Sequence, residues 1–113
     1  MRAFPFELRY YVSAEGRIPF KKWLEGLRDV SARAHIRVRL DRVRLGNLGN
    51  SRTVGEGVRE LKVDYGPGYR IYFAQEGTHI ILLLLGGDKS KQEKNIETAK
   101  KYWKYHKRRK RHA

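Results

Sequence analysis

The fold is decided by one stretch, Gly57-Val-Arg-Glu-Leu-Lys-Val-Asp-Tyr-Gly-Pro-Gly-Tyr-Arg-Ile-Tyr-Phe73. It predicts two β-strands joined by a tight turn, with Pro67 at the second turn position and Gly68 at the third, where a positive φ is needed. Side chains alternate across a strand, so the apolar residues bury on one face; they are Leu61, Val63, Ile71 and Phe73. The polar residues share the other face; they are Glu60, Lys62, Arg70 and Tyr72. Such a patch suits phosphate binding.

The first half of the chain predicts one strand and two helices. The β-favouring segment 6–12 is the strand, and the first helix begins at Pro19, whose missing N–H costs nothing in a first turn. Segment 31–45 alternates like a strand, but its length and helix propensity favour a helix. Asp29 or Ser31 is its expected N-cap.

The second half predicts three antiparallel strands and a last helix. A mobile loop is expected over 46–57, followed by strands at about 57–64, 69–75 and 78–86. The helix runs from Lys91 to about His106, and Ser90 and Glu93 match a capping box before it.

The predicted order is therefore β-α-α-β-β-β-α, an α+β fold in which a small antiparallel sheet of four strands packs against helices. The chain has 113 residues, enough for one domain. We expect that domain to cover 1–106 and to be followed by a basic tail over 107–113.

Charge is the strongest compositional feature. There are 26 Lys and Arg against 12 Asp and Glu, a formal net charge of +14. Such a field attracts polyanions, so nucleic acid, a ribonucleoprotein or an acidic protein are the expected partners. The plain alternative is a soluble domain whose basic tail is only solvated. The absence of cysteine and of a long apolar segment predicts a soluble, cytoplasmic protein without a membrane partner.

No cofactor or metal site is predicted. The four histidines are scattered without metal-ligand spacing; they are His35, His79, His106 and His112. Phosphate-binding loops and dinucleotide fingerprints are not found either.

Three motifs carry a resemblance to a known family: Val58-Arg-Glu-Leu-Lys62, Asp64-Tyr-Gly-Pro-Gly-Tyr-Arg-Ile-Tyr72, and Leu84-Leu-Gly-Gly-Asp-Lys-Ser90 followed by Gln92. With the element order and charge, they resemble the RelE/ParE superfamily of toxins from type II toxin–antitoxin modules. More narrowly, the chain is similar to the HigB-like, phage-related addiction module killer group. The resemblance covers nearly the whole chain up to Trp103.

The resemblance implies a fold, an activity and partners. It implies a RelE-like cytoplasmic toxin neutralised by a cognate antitoxin, expected to be a helix-turn-helix DNA-binding protein. Better-known members cleave mRNA on the ribosome and so inhibit translation. Arg70 matches the family arginine that stabilises the cleaved phosphate, Lys62 a lysine near the 2′-hydroxyl, and Lys89 a basic residue after the final strand. The RelE branch has a catalytic tyrosine shortly afterwards, where this chain has Asn95.

The residue types also fit metal-independent cleavage by attack of the RNA 2′-oxygen. That reaction needs a proton acceptor, a charge stabiliser and a proton donor. Arg70 suits the charge, because guanidinium grips phosphate with two N–H groups. Lys62 and Glu60 are the candidate bases, and Tyr72 could donate a proton or stack on a base. The structural alternative for Arg70 is pairing with Glu60 across the strands.

Further cations are predicted to bind the RNA backbone; they are Arg59, Lys91, Lys94, Arg37 and Arg44. The segment from Gly86 to Ser90 leads into a helix N-terminus, whose N–H groups and dipole attract anions. A well-capped turn explains the same residues without a ligand.

Three functions remain open on the sequence. The first is a ribosome-dependent mRNA endoribonuclease. The second is a ParE-like poison of DNA gyrase without nuclease chemistry, which the missing tyrosine favours. The third is a nucleic-acid-binding module that is neither catalytic nor toxic.

Overall fold

The computed structural model describes residues 5–111. Its elements, in chain order, are β1 (Glu7–Tyr10), α1 (Pro19–Glu25), α2 (Val30–Arg44), β2 (Ser51–Gly55), β3 (Val58–Val63), β4 (Tyr69–Glu76), β5 (Ile80–Asp88), a 3-10 turn (Lys89–Lys91) and α3 (Gln92–Arg111). The fold is α+β, as predicted. Residues 1–4 and 112–113 of the predicted domain and tail, His112 among them, lie outside the described residues.

The sheet has five strands in the order β1-β5-β4-β3-β2 and is mixed. The prediction of four antiparallel strands is wrong in both respects. β1 runs parallel to β5, with Glu7 opposite Ile80, whereas the other neighbours are antiparallel. The extra strand is β2, which lies in the predicted mobile loop. Gly55 and Gly57 have φ of 102° and 83°, so these glycines form the tight turn into β3.

The β3–β4 hairpin has the predicted faces but a different turn. Gly68 has the expected positive φ, 82°. The closing hydrogen bond runs from the Gly68 N–H to the Tyr65 carbonyl at 3.0 Å. Pro67 and Gly68 are therefore the third and fourth residues of this turn, and the prediction that they are the second and third is wrong. Gly66, with a φ of 57°, takes the second position.

Helices α1 and α2 cover one face of the sheet. Phe20 and Leu24 of α1 and Ile36 of α2 are buried against Leu61 and Ile71. The helix prediction for α2 is confirmed, and so is its start. The Asp29 carboxylate accepts hydrogen bonds from the N–H groups of Ser31 and Ala32 at 2.9 and 3.2 Å, which satisfies two donors at the helix end.

Helix α3 covers the opposite face. Ala99 and Trp103 are buried there against Tyr72 and Leu84. The helix continues to Arg111, so the predicted end near His106 is wrong. Contacts with the body explain the extra length: Arg109 donates to the Val12 carbonyl at 2.8 Å, and the Lys110 ammonium lies 2.8 Å from the Glu76 carboxylate.

The link from β5 to α3 is shaped by Asp88 and two glycines. Asp88, not the predicted Ser90, caps the 3-10 turn, accepting from the Ser90 N–H at 2.9 Å. Gly86 and Gly87 lie where a Cβ would come within 2.1 Å of Trp23 and of Asn95, respectively. They let α1 and α3 approach the same strand end. Among the described residues, no helix is both long and apolar enough to cross a membrane.

Candidate functional site

A small polar cavity lies where strands β2, β3 and β4 meet the beginning of α3. Its volume is about 180 Å³. The lining residues are Asn50, Ser51, Arg52, Glu60, Lys62, Arg70 and Gln92. Three of them are cationic and one is anionic, so the cavity has a cationic excess. We call it the Arg70 cavity.

Arg70 is the most unusual residue of this cavity. It lies directly opposite Lys62 in the β3–β4 register and is only 7% exposed. One guanidinium nitrogen, Nη1, donates to the Gly68 carbonyl at 3.1 Å, whereas the buried Nε has no hydrogen-bond partner. No ion pair within residues 5–111 includes Arg70. A buried charge without a counterion is costly, and an anion in the cavity would relieve that cost.

Glu60 does not neutralise Arg70, because its oxygens are already engaged. It accepts hydrogen bonds from Arg52 Nε at 2.9 Å, from the Tyr72 hydroxyl at 3.0 Å and from Gln92 Nε2 at 2.9 Å. The structural alternative, in which Arg70 pairs with Glu60, is therefore not observed, and Arg52 pairs with Glu60 instead. Through Gln92, the same carboxylate also anchors the first residue of α3 to β3.

These contacts change the proton chemistry of both partners. Burial raises the pKa of Glu60, but the hydrogen bonds from Arg52, Gln92 and Tyr72 outweigh burial and lower it overall. Burial, and then the hydrogen bond to Glu60, raise the pKa of Tyr72 well above its usual range. Glu60 is thus a weak base, and Tyr72 is a weak acid shielded from solvent. Both predicted catalytic side chains lie at the site as parts of a structural network.

Lys62 lies at the cavity mouth. Its side chain is exposed and forms an ion pair with Asp64 at 3.5 Å. Its backbone N–H donates to the Asn50 carbonyl at 2.9 Å, which fixes the strand beneath it. Exposed ion pairs contribute little free energy, so the ammonium is able to turn from Asp64 to a ligand.

The lysines predicted around α3 lie apart from the cavity lining. Lys89 is exposed in the 3-10 turn that Asp88 caps, and Lys94 is exposed on α3. Lys91 lines a different cavity of about 560 Å³, together with Trp23. The cap also occupies one N–H of this turn, that of Ser90.

The remaining predicted cations lie elsewhere. Arg59 alternates with Glu60 and so points to the other face, where its Nη2 donates to the Ser51 hydroxyl at 3.0 Å. Arg37 and Arg44 line a cavity of about 350 Å³ next to β1. The predicted phosphate-binding set is therefore distributed over several surfaces.

Four lining residues were not predicted, and two of them, Arg52 and Gln92, bind Glu60. Arg52 was missed because β2 was interpreted as a loop, and strand alternation would have placed it beside Glu60. Gln92 had one signal, its position two residues after the third motif. Within residues 5–111, no three histidine, aspartate or glutamate side chains are arranged to hold a metal ion.

Comparison with known proteins identifies a relative. A Haemophilus influenzae protein, described as an uncharacterized protein, is 41% identical over 83 residues, which cover 74% of this chain and 84% of that protein. The chain belongs to the family of this Haemophilus protein. No protein-family model matches the chain. The relationship carries no activity with it, so a functional argument depends on the residues of the cavity.

Proposed function

We propose that this chain is the toxin of a type II toxin–antitoxin pair, a HigB-like member of the RelE/ParE superfamily. Its activity is ribosome-dependent cleavage of mRNA, without metal or cofactor, which inhibits translation. One observation carries the proposal: Arg70 is buried at 7% exposure, unpaired at Nε, and lines a cavity beside two other cations. This arrangement suits a phosphodiester, which supplies the missing negative charge.

The proposed reaction uses two of these cations, Arg70 and Lys62. The RNA 2′-oxygen attacks the adjacent phosphorus, the bond from phosphorus to the 5′-oxygen breaks, and a 2′,3′-cyclic phosphate and a free 5′-hydroxyl form. Arg70 stabilises the extra negative charge on the phosphoryl oxygens. Lys62, at the mouth, stabilises the 2′-oxygen as it loses its proton. Water accepts that proton and protonates the 5′-oxygen.

Glu60 has a positioning role in this scheme. Its carboxylate holds Arg52 on one side and Gln92 on the other, so it orients one cation of the cavity and the helix that roofs it. The ribosome supplies what the cavity lacks, namely alignment of the 2′-oxygen with the scissile bond. Alignment of this kind contributes a large part of many rate enhancements.

The expected partners fit the charge of the chain. A net charge of +14 attracts both ribosomal RNA and an acidic antitoxin. The antitoxin is proposed to be a helix-turn-helix DNA-binding protein encoded beside the toxin. Co-purification with the product of the neighbouring reading frame tests this partner.

A second candidate is a ParE-like poison of DNA gyrase, which needs no chemistry of its own. The observation in its favour is the Glu60–Tyr72 hydrogen bond, because it removes the two best acid–base side chains from use. A nucleic-acid-binding module without toxicity fits the same observation. Both alternatives retain the cationic cavity as a binding site.

The decisive experiment measures mRNA integrity in a bacterial translation extract by primer extension. Wild type is compared with Arg70→Lys, which keeps the charge but loses the planar fork, and with Lys104→Ala, an exposed cation of α3. We expect discrete, ribosome-dependent cuts with wild type and Lys104→Ala. With Arg70→Lys, cleavage should fall on the order of a hundredfold, as for other lost charge stabilisers.

The other outcomes separate the alternatives. Intact mRNA together with inhibited supercoiling by purified gyrase supports the gyrase poison. Intact mRNA, normal translation and normal supercoiling support the passive module. Thermal unfolding of Arg70→Lys shows whether a lost activity reflects a lost fold.

A further inference from the structure

A second, larger groove adjoins the Arg70 cavity. Its volume is about 620 Å³. It lies between α2 and the segments before β2 and after β3, and two residues, Asn50 and Lys62, line both spaces. The Arg70 cavity therefore opens beside a groove large enough to accept part of a ligand bound at Arg70. We call it the α2 groove.

The walls of the α2 groove are held in place by Arg39. Its guanidinium donates to the carbonyls of Asn47 and Leu48 at 3.2 and 2.6 Å, so it ties the segment before β2 to α2. Gly49 permits this contact, since a Cβ there would lie 2.0 Å from Arg39 Nη2. The backbone N–H of Lys62 donates to the carbonyl of Asn50 at 2.9 Å. The groove is thus pre-formed.

A ring pair stands at one side of the groove. His35 stacks on Tyr65, with ring centroids 4.0 Å apart and an interplanar angle of 25°. His35 Nδ1 lies 2.8 Å from the Ser31 carbonyl, which can only accept, so Nδ1 carries a hydrogen. Tyr65 packs against the core, whereas His35 is exposed and lines the groove. The imidazole is therefore a planar group held in a fixed orientation at the surface.

The groove also carries unbalanced positive charge. Arg42 is exposed, lines the groove, and is in none of the ion pairs within residues 5–111. Burial, and then the nearby charge of Arg42, lower the pKa of Arg39. The two guanidinium groups therefore repel each other, and a phosphate between them would relieve this repulsion.

We propose that the α2 groove is a subsite for the nucleotide that adjoins the phosphate bound at Arg70. The base of this nucleotide contacts the His35–Tyr65 ring pair, and its own phosphate binds Arg42. Stacking on planar side chains combined with backbone cations is the usual way of holding single-stranded RNA. The subsite rests on the proposed function and gives it a substrate class, namely a single strand of at least two consecutive nucleotides.

The test measures binding of fluorescein-labelled hexauridylate by fluorescence anisotropy at several salt concentrations. The variants are His35→Ala and Arg42→Ala, and the matched control is Arg28→Ala, an exposed arginine outside the groove lining. We expect His35→Ala to weaken binding about tenfold. Arg42→Ala should lower the slope of log affinity against log salt by about 0.7, the value for one phosphate of a single strand. Arg28→Ala should behave like wild type.

A second ligand set makes the test specific for stacking. Hexauridylates that lack one base are compared at each position in turn. At the position whose base occupies the groove, removal of the base should weaken binding to wild type about as much as His35→Ala weakens binding of intact hexauridylate. His35→Ala and wild type should bind this ligand with equal affinity, because the stacking contact is already absent. The subsite is overturned if both groove variants bind hexauridylate like wild type, or if Arg28→Ala changes the salt slope equally.

Failure of the subsite differs from failure of the proposed function. If wild type cuts mRNA in the extract while both groove variants bind like wild type, the nuclease stands and the subsite falls. If hexauridylate binding depends on His35 and Arg42 but mRNA remains intact, the subsite stands without the nuclease.

Discussion

The Tyr72 hydroxyl donates a hydrogen bond to Glu60 Oε2 at 3.0 Å, between residues that lie directly opposite each other on β4 and β3. Tyr72 is fully buried and Glu60 is 4% exposed. The bond therefore links the hydrophobic layer beneath α3 to the Arg70 cavity. Loss of either partner should therefore lower the free energy of unfolding more than it changes the cleavage reaction.

Tyr72→Phe should lower the free energy of unfolding by about 1.5 to 3 kcal/mol, because the ring still fits but a buried carboxylate loses one donor. Urea denaturation measures the change. Tyr10→Phe, at an exposed tyrosine of β1, is the control and should have little effect. Equal stability of Tyr72→Phe and wild type would show that Glu60 does not depend on this bond.

Stability should fall on acidification below about pH 4.5. Hydrogen bonds and nearby cations outweigh burial and lower the pKa of Glu60 and of Glu76 from their ordinary value of 4.5. The two carboxylates then bind protons more readily in the unfolded chain than in the folded one. Their contribution to the free energy of unfolding is therefore present above the unfolded pKa and is lost as pH falls through the folded pKa. Urea denaturation between pH 7 and pH 3 should show that the free energy of unfolding falls less steeply with pH in the double variant Glu60→Gln, Glu76→Gln than in wild type. Glu97→Gln, at an exposed glutamate of α3, is the control.

Glu76 should matter more than Lys110 for docking the end of α3. The Glu76 carboxylate accepts from His106 Nε2 at 3.1 Å and pairs with Lys110, whose side chain is 57% exposed. Lys110→Ala should cost about 0 to 1 kcal/mol, as exposed ion pairs do. Glu76→Ala should cost about 1 to 3 kcal/mol, because it leaves His106 half-buried without its partner. Amide hydrogen exchange near His106 should accelerate only in Glu76→Ala, and equal acceleration in both variants would contradict this ranking.

Gly86→Ala should destabilise the protein more than Gly87→Ala. The new methyl would meet the rigid ring of Trp23 at 2.1 Å in the first case, and the rotatable end of Asn95 at 2.1 Å in the second. Forced overpacking costs about 1 to 3 kcal/mol, and Gly86→Ala should lie at the upper end. Thermal unfolding compares the two, and Trp23→Ala should reduce the cost of Gly86→Ala in a double-mutant cycle. A larger loss for Gly87→Ala would mean that Asn95 cannot move aside.

Lys62 and Lys89 were both predicted to be catalytic, yet only Lys62 lines the Arg70 cavity. Lys62→Met should therefore reduce hexauridylate affinity and mRNA cleavage, each about tenfold or more, whereas Lys89→Met should change both by less than about threefold. The two substitutions remove the same charge, so net charge is matched. A larger effect of Lys89→Met would move the reaction centre to the 3-10 turn.

The faces of the β3–β4 hairpin could be predicted from the sequence because alternation is a local property. Leu61 and Ile71 are buried on one side, and Lys62 and Arg70 share the other. Strand alternation could not predict whether this polar face is exposed to solvent or covered. It depends on where α3 docks, and Gln92 brings α3 onto Glu60 from far along the chain.

The errors about β2 and the end of α3 have a common cause. Glycines around β2 indicate a loop, but Gly55 and Gly57 are used in a hairpin turn. The charges after His106 indicate a solvated tail, but Lys110 has a partner in Glu76. In both cases, a contact distant in sequence decides the conformation. Local propensity describes only the conformation that would exist without that contact.

The parallel pairing of β1 with β5 has a consequence for synthesis of the chain. Glu7 is made early, and Ile80, its neighbour in the sheet, is made late. The first strand must wait until β5 has left the ribosomal exit tunnel, and contacts this distant in sequence make folding slow. The central cationic hairpin emerges before the helix that roofs it. Glu60 therefore lacks Gln92, its hydrogen-bond partner on α3, until that helix emerges.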